Sequence, residues 1–365
     1  MLISTCRITL TVLLLTSVAM SQYAVSPISH NNTTDHSPRI ADGGQVVWAG
    51  FDGNDLELYY RDGNQTIQLT DNDYQDRLPE INASGQVVWV GQTYFGVGNK
   101  DIFFFDGTQT IRLTNDTLDD IGPSINDSGE VVWVGYDGND FEIFHYDGNT
   151  TTQITNNSVH DTAVAIGNDG TIVWQQYDGN DSEIFLHNGA GTIQLTNNTE
   201  NDTSPVVNST GSVAWNGFDG NDYEIFMFDG STTTQVTDNN LFDADVVINS
   251  LGQLAWAGTT TDSTDLEIFM FDGATTLQLT DNGGTGGAFF NDRAPQINDL
   301  GHVSWKGGNG TPRADILVYN GVNVINLANM PSDGDFPRMN NTGAVVWSAS
   351  FSQNDSEIML ARPRP

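Results

Sequence analysis

Short acidic stretches recur along the chain in a form that suits a divalent cation. Residues 50–58 read GFDGNDLEL, and near copies follow at 135–143, 176–184 and 217–225. Each repeats the pattern Asp-Gly-Asn-Asp-x-Glu, whose carboxylate and amide oxygens are hard ligands of the kind that calcium takes. The candidate calcium ligands are Asp52, Asp55, Asp137, Asp140, Asp178, Asp181, Asp219 and Asp222.

The same stretches also suit a tight turn. Gly and Asn tolerate the positive φ angles that short hairpins require, and each loop is too short to wrap an ion alone. A second set of acids stands three residues before the proline, or its equivalent, of the next inner strand. In a ring of four-stranded sheets, these hairpins and the crossovers from one sheet to the next would lie on one face. Two interpretations of the acids on that face stay open: a ring that binds calcium, and a solvated acidic surface of turns. The crossover acids are Asp35, Asp76, Asp120, Asp161, Asp202, Asp243 and Asp292.

The charge balance excludes one class of partner. The 365 residues include 12 Lys+Arg against 47 Asp+Glu, a formal net charge of −35. Such a charge opposes approach to nucleic-acid phosphate and to anionic membrane surfaces. We expect neither nucleic-acid binding nor membrane insertion.

The first 21 residues have the pattern of a signal peptide. Arg7 precedes an apolar run over 8–18, and Ala19-Met20-Ser21 resembles a cleavage site. The run is shorter than the roughly 20 residues that span a bilayer. Cys6, the single cysteine, lies in this segment, so the mature chain is expected to hold no thiol or disulfide. We expect residues 22–365 to form one domain, secreted or periplasmic.

Eight tryptophans mark an internal repeat. They occur 41–49 residues apart, at Trp48, Trp89, Trp133, Trp174, Trp215, Trp256, Trp305 and Trp347. This period, close to the roughly 40–45 residues of one four-stranded propeller blade, predicts an all-β, eight-bladed β-propeller of antiparallel blades. In the third copy the strands are predicted over PSIN, EVVWVG, FEIFHY and TTQIT, with turn residues between them.

The eighth copy stops after its third strand, and the missing strand lies at the N-terminus. Ile28 precedes Pro38 by ten residues, as Leu69 precedes Pro79 in a regular copy. Residues 23–29 are therefore predicted to be the outer strand of the last blade, pairing near Ile358 and closing the ring. The same strand completing the ring of a neighbouring molecule would give a strand-exchanged filament.

The repeat resembles a known family. The inner-strand proline, Asn-x-x-Gly, the apolar second strand, DGNDxEIFxYDG and the closing QLT are similar to the TolB-like β-propeller repeat of bacterial periplasmic and secreted proteins, over residues 23–363. The chain departs from that family in its tryptophan on every second strand, and it lacks the N-terminal α/β domain of TolB. The resemblance implies a binding platform. It also implies that such propellers, joined to other domains, form parts of peptidases.

An acid also begins the apolar part of every third strand. A role repeated in all eight blades is expected to be architectural, for example accepting hydrogen bonds from the adjacent hairpin. These acids are Glu57, Asp101, Glu142, Glu183, Glu224, Glu267, Asp315 and Glu357.

Three loops break the repeat with aromatic and basic residues. They are the crossover over 280–295, the hairpin over 306–315 and the hairpin over 92–100. Recognition of a partner and loop drift without function both stay open. The candidate ligand-binding residues are Phe289, Phe290, Arg293, Lys306, Arg313, Tyr94 and Phe95.

Asn-x-Ser/Thr triplets are frequent, although a chain rich in Asn, Ser and Thr also produces them by chance. The glycosylation candidates are Asn64, Asn115, Asn149, Asn197 and Asn208.

No catalytic constellation stands out, because the histidines are scattered and the inner strands are nearly uniform from copy to copy. An active site in the central channel would need a polar cluster on one or two of those strands. We therefore expect a non-enzymatic exported module that binds a protein or a carbohydrate, or assembles with itself. A secreted hydrolase or lyase acting in the channel is the alternative.

Overall fold

The protein is all-β. The computed structural model describes residues 22–93, 98–261, 263–282, 291–308, 314–327, 337–352 and 355–364, and none of these residues is helical. Accordingly, the described part of the chain contains no helix with the length and apolarity to cross a membrane.

Thirty-two strands build the fold. In chain order, those of the first half are β1 (Tyr23–Pro27), β2 (Asp35–Ile40), β3 (Val46–Phe51), β4 (Leu56–Asp62), β5 (Gln65–Gln68), β6 (Tyr74–Ile81), β7 (Val87–Thr93), β8 (Lys100–Phe105), β9 (Thr110–Arg112), β10 (Asp120–Ile125), β11 (Val131–Tyr136), β12 (Phe141–Tyr146), β13 (Thr151–Gln153), β14 (Asp161–Ile166), β15 (Ile172–Tyr177) and β16 (Ser182–Asn188). Those of the second half are β17 (Gly191–Gln194), β18 (Asp202–Val207), β19 (Val213–Phe218), β20 (Tyr223–Phe228), β21 (Thr233–Gln235), β22 (Asp243–Ile248), β23 (Leu254–Thr260), β24 (Ser263–Phe271), β25 (Thr276–Gln278), β26 (Arg293–Ile297), β27 (Val303–Gly308), β28 (Ala314–Tyr319), β29 (Val324–Asn326), β30 (Arg338–Met339), β31 (Val345–Ser352) and β32 (Asp355–Pro363).

The strands form eight antiparallel four-stranded sheets, as the repeat predicts. Blade 1 is β2-β3-β4-β5, and each later set of four consecutive strands forms the next blade; we call the strands of a blade A to D from the channel outward. The eighth blade has the order β1-β32-β31-β30, so its outer strand is the N-terminal one. Ile28 N donates to Ile358 O at 2.8 Å. The predicted closure of the ring by the N-terminal strand is confirmed.

The core is divided among the eight junctions between consecutive blades. Each junction holds one apolar cluster built from the second and third strands of two blades. Every tryptophan of the repeat is at most 2% exposed. In blades 1 to 6 it stacks on an aromatic residue of strand C, for example Trp133 on Phe144 with ring centroids 5.8 Å apart. A blade therefore buries its faces only against its neighbours, which is why an open ring would be costly.

A belt of asparagine side chains joins the A–B turns around the channel. Asn82 Nδ2 donates to Asn126 O, and Asn249 Nδ2 donates to Asn298 O, both at 2.9 Å. Asn340 Nδ2 donates to Ala41 O at 2.9 Å and so connects blade 8 to blade 1. The Asn-x-x-Gly motif of the sequence thus links blades as well as turning strand A into strand B.

Most of the inner strands begin before the position that the sequence predicts. In blade 3 the strand starts at Asp120 and not at Pro123, and its pairing with β11 shifts register between Ile121 and Ser124. The shift is a bulge whose second residue, Gly122, has φ of 59°. The bulge lets a strand already paired at Asp120 continue past the proline. Non-glycine residues at the equivalent position also have positive φ: Ser37, Leu78, Ala163, Ser204, Asp245 and Ala294.

This conformation generates a stability prediction. Leu78 has φ of 51° and is 56% exposed, so Leu78→Gly removes backbone strain and little apolar burial. We expect the free energy of unfolding to rise by about 0.5–1 kcal/mol, after the entropy that glycine adds to the unfolded chain. The matched control is Gly122→Ala, whose new methyl would meet no atom within 4 Å. It should lower stability by a similar amount, and a stabilising effect of Gly122→Ala in urea unfolding would contradict the explanation.

Ring closure generates a second prediction. Val25 and Ala361 are cross-strand partners. Residues 22–365 contain no cysteine, so two cysteines introduced there could pair only with each other or with those of another chain. Val25→Cys combined with Ala361→Cys should form a disulfide within one chain. Backbone bonds join Ile28 to Ile358 and Arg364 to Gln22, so the alternation of an antiparallel pair makes Val25–Ala361 a non-hydrogen-bonded pair, in which the side chains are closer. We expect a monomer on a non-reducing gel. Covalent dimers or longer ladders would show strand exchange instead.

Candidate functional site

The B–C hairpins and the crossovers between blades lie on one face, as topology predicts. Phe141 N, at the end of the hairpin of blade 3, donates to Nδ1 of His160 in the following crossover at 3.1 Å. Lys100 N contacts Oδ1 of Asp119 in the same way at 3.0 Å. We call this the hairpin face. The A–B turns lie at the other end of the strands, around the opposite mouth of the channel.

A repeated polar network connects six of the blades to the next one just below the hairpin face. Glu57 Oε1, on strand C of blade 1, accepts from Asn72 N at 2.8 Å. Asn72 Nδ2 donates to Asp76 Oδ2 at 2.9 Å. Asp76 Oδ1 accepts from the indole nitrogen of Trp89, in blade 2, at 2.8 Å. The strand C acid therefore has the architectural role that its repetition predicts, with the crossover as its donor.

The same network closes the ring. Ser29 and Asn31, which follow β1, take the places that Thr70 and Asn72 hold after β5. Asn31 N donates to Glu357 Oε1 at 3.0 Å, and Asn31 Nδ2 donates to Asp35 at 2.8 Å. The junction between blades 8 and 1 is thus built from both ends of the chain and has the same Glu–Asn–Asp connection as the junctions after blades 1, 3, 4, 5 and 6.

The crossover acids are buried, so the predicted surface ring of these carboxylates is wrong. All seven are at most 6% exposed. Because strand A begins at the acid, its side chain lies between blades against a strand B glycine. A Cβ at Gly135 would lie 2.5 Å from Asp120 Oδ1, so glycine makes room for the carboxylate. In blade 4, Gln176 replaces this glycine, and Trp174 donates to Gln176 Oε1 at 3.4 Å.

Burial raises the pKa of these paired acids. Desolvation raises the pKa of Asp292 to about 8, and Glu267 adds a smaller repulsion. Desolvation likewise raises the pKa of Glu267 to about 7. Asn282 bridges the two acids, donating from its backbone N to Glu267 at 3.2 Å and from Nδ2 to Asp292 at 3.1 Å. The junction between blades 6 and 7 therefore favours protonated carboxyls near neutral pH.

Four hairpins bring acids together closely enough to share one cation. Ligand atoms within each group lie within 4.8 Å of one another. The groups are Asp52, Glu57 and Asp71; Asp137, Asp140 and Glu142; Asp178, Asp181 and Glu183; and Asp219, Asp222 and Glu224. Seven of the eight candidate ligands predicted from sequence lie in a group, and Asp55 does not. The strand C Glu also belongs to each group. Its repetition in every blade predicted an architectural role, so it is absent from the predicted ligands, although it stands two residues after the last hairpin Asp in all four copies.

The candidate ligand-binding residues fall in two classes. Tyr94, Phe95, Phe289, Phe290 and Arg313 lie outside the described residues. Arg293 is exposed at the start of β26, and Lys306 lies in β27 and not at the tip of the hairpin. The two are cross-strand partners, so the structure brings together cations that stand thirteen positions apart in sequence.

The glycosylation candidates also divide. Asn64, Asn115, Asn149 and Asn197 are exposed. Asn208 is 5% exposed, and its Nδ2 donates to Asn249 O at 2.9 Å. A glycan would be attached to that same nitrogen, so the four exposed candidates are the accessible ones in the folded chain.

No protein-family model matches the sequence, and no curated protein matches it. Solved structures share its fold. Dipeptidyl peptidase 4 of Porphyromonas gingivalis has a TM-score of 0.61 and 11% identity, covering 90% of this chain and 58% of that chain. A puromycin-hydrolysing peptidase of Mycobacterium tuberculosis has a TM-score of 0.58 and 15% identity, covering 87% and 57%. The β-propeller domain of the Trilobed protease of Pyrococcus furiosus has a TM-score of 0.57 and 11% identity, covering 82% and 100%.

These similarities show the fold alone, because the identities are low. The chain spans a little over half the length of the two peptidases. The Pyrococcus domain is described as having an open velcro topology, whereas the last blade here contains strands from both ends of the chain.

The buried acids generate a pH prediction for metal-free protein in chelator. The folded pKa values of Glu267 and Asp292 lie above their ordinary values, so this junction is most stable in acid and loses stability as pH rises through about 7 to 8. Asp292→Asn stays neutral throughout. We expect it to reduce the loss of unfolding free energy between about pH 5 and about pH 9 by about 2 kcal/mol. This is less than the upper limit, which is about 1.4 kcal/mol for each unit by which the pKa is raised.

The control for this prediction is Asp238→Asn, which removes the same charge from an exposed position of the preceding crossover, between blades 5 and 6. Denaturant unfolding across the pH range measures both variants. Equal pH profiles for Asp292→Asn and Asp238→Asn would contradict the prediction.

Proposed function

We propose that this chain is an exported, non-enzymatic propeller that binds a protein or a carbohydrate on the hairpin face of blade 7. The observation that carries the proposal is that Arg293 and Lys306 stand opposite each other on the adjacent strands β26 and β27. Both cations belong to a protein with a net charge of −35. A locally basic point on an acidic surface selects partners by electrostatic complementarity.

Lys306 supports this location because its position is apolar in several other blades. The residue after the tryptophan is Ala49, Val90, Val134 or Ala257 in blades 1, 2, 3 and 6, and each of these is at most 6% exposed. Lys306 is half-buried there. A lysine in place of a packed Ala or Val gives up apolar burial and places a second cation beside Arg293. The paired donors suit carboxylate groups of a partner.

We also infer that the repeats are of the TolB-like kind, on the motif that the eight copies share. Export is supported by the signal-peptide pattern of residues 1–21 and by a mature sequence without cysteine. Both inferences favour a secreted or periplasmic binding module. The peptidase names of the similar structures belong to chains much longer than this one.

The inner strands favour binding over catalysis in the channel. Arg39 and Glu80, on the inner strands of blades 1 and 2, form a bidentate ion pair with nitrogen-to-oxygen distances of 2.7–2.9 Å. Both carboxylate oxygens of Glu80 are thus engaged by Arg39, so Glu80 is poorly placed to act as a general acid or base. A hydrolase or lyase would need a second reacting group placed against it.

The binding proposal is tested with residues 22–365 and defined probes. Trigalacturonate supplies a few carboxylates without the charge of a long polyanion, maltotriose is the neutral control, and a short peptide that ends in two aspartates is the protein probe. Titration calorimetry measures each. We expect affinity for at least one carboxylate-bearing probe. Arg293→Ala combined with Lys306→Ala should weaken it at least about tenfold, or about 1.4 kcal/mol.

The matched control is Arg362→Ala combined with Arg364→Ala, which removes the same charge at exposed positions of the C-terminal region. Equal loss in both double variants would place the binding elsewhere. Products released from any probe above a boiled control would overturn the non-enzymatic assignment.

A further inference from the structure

We propose that four B–C hairpins of this protein are calcium sites, each completed by the acid of strand C. The ligands in blades 3, 4 and 5 are the two hairpin Asp and the strand C Glu. In blade 1 they are Asp52, Glu57 and Asp71 of the crossover. The sites do not depend on the partner proposed for blade 7.

The spacing of the oxygens fits one ion. Ligand atoms in each group lie within 4.8 Å of one another. Calcium binds oxygen at about 2.3–2.6 Å, so two oxygens on one ion lie at most about 5 Å apart. Three carboxylates supply part of the six to eight oxygens that calcium takes, and water at the exposed hairpin tip can supply the rest.

Buried oxygens without a partner point into the groups of blades 1, 3 and 4, and the group of blade 5 repeats the residues of blades 3 and 4. In blade 4, Asp181 is 6% exposed and neither of its carboxylate oxygens has a hydrogen-bond partner. Glu183 is fully buried, and its Oε2 also lacks one. The same holds for Asp140 Oδ2 in blade 3 and for Glu57 Oε2 in blade 1. A buried carboxylate oxygen left unpaired costs stability, and a cation between these groups would offset that cost.

The first Asp of each hairpin already holds the loop in shape. Asp178 Oδ1 accepts from Asn180 N at 2.9 Å and from Asp181 N at 3.4 Å. Gly179 permits the turn with φ of 108°. Asp178 Oδ2 is then left for the ion. Little ordering is needed when calcium binds, so the binding free energy is not spent on folding the loop.

Blade 2 supplies its own cation at the equivalent place. Its hairpin lacks the Asp pair, and its strand C acid, Asp101, accepts from Arg112 at 2.7 Å. Arg112 stands on the outer strand where blades 1, 3, 4, 5 and 6 have glutamine, as at Gln194 in blade 4. In blade 7, Asp315 accepts from Asn326 of the outer strand at 2.8 Å. Where the hairpin acids are missing, the chain thus provides a donor of its own to the strand C acid.

Calcium is the divalent ion that this geometry favours. Magnesium requires a regular octahedron at about 2.0–2.1 Å and gives up water reluctantly, whereas calcium accepts irregular carboxylate sets. Sites that border solvent in extracellular modules bind calcium with dissociation constants of about 0.1–1 mM. We expect half-saturation in that range.

The test uses residues 22–365 stripped of metal, titrated with calcium chloride by calorimetry and by equilibrium dialysis. We expect about four ions per chain and a Tm several degrees higher at about 10 mM calcium, with a smaller rise for magnesium. Asp181→Asn should reduce the count by one. The control is Asp147→Asn. Asp147 holds an exposed C–D turn as Asp178 holds its hairpin, by accepting from Asn149 N and Thr150 N. This variant should leave the number of bound calcium ions unchanged.

A second variant keeps the proposal testable if Asp181→Asn folds poorly. Gln194→Arg copies the arrangement of Arg112 in blade 2. It should raise the Tm of the metal-free chain and remove one calcium ion from the count. No saturable uptake up to about 10 mM calcium, or the same loss of calcium in Asp147→Asn as in Asp181→Asn, would overturn the proposal.

Discussion

The fold depends on one buried contact, the carboxylate of a crossover aspartate held between two blades. In four blades its Oδ1 accepts from the tryptophan indole on strand B of the same blade, as Asp202 does from Trp215 at 2.9 Å. Its other oxygen accepts from an asparagine of the crossover, as Asp202 does from Asn198 at 2.7 Å. The backbone N of Asn198 donates in turn to Glu183 of the preceding blade at 2.8 Å. The aspartate therefore orients the tryptophan of its own blade and, through the asparagine, connects that blade to its neighbour.

This contact has an electrostatic cost that the protein offsets in different ways. Burying a carboxylate beside a second acid favours the neutral form, and the raised pKa of Asp292 is the clearest example. Tryptophan donors reduce this cost for four of the crossover aspartates, and asparagine donors reduce it for six. Blade 2 adds Arg112 at its strand C acid. Calcium bound at the four acidic hairpins would likewise neutralise the strand C acids of blades 1, 3, 4 and 5.

Sequence and structure agree on everything that depends on periodicity. The tryptophan spacing predicts eight blades, and the ten-residue offset between Ile28 and Pro38 predicts the strand that closes the ring. Both signals are repeated along the chain, so the copies support one another. The bulge at Gly122 and its equivalents was not predicted, because Leu78, Ala163 and Asp245 give no local sign of positive φ. The burial of the crossover acids follows from that bulge.

The sequence alone therefore determined the architecture, the closure and the places of the turns, because each is encoded in short-range patterns that recur. Only the tertiary structure decided which acids meet. Asp120 and Trp133 are thirteen positions apart and become partners through a strand pairing that contains a bulge. Glu183 joins Asp181 since the hairpin turns both side chains to one side. Contacts of this kind depend on register, and register is set by packing between blades and not by local residue pattern.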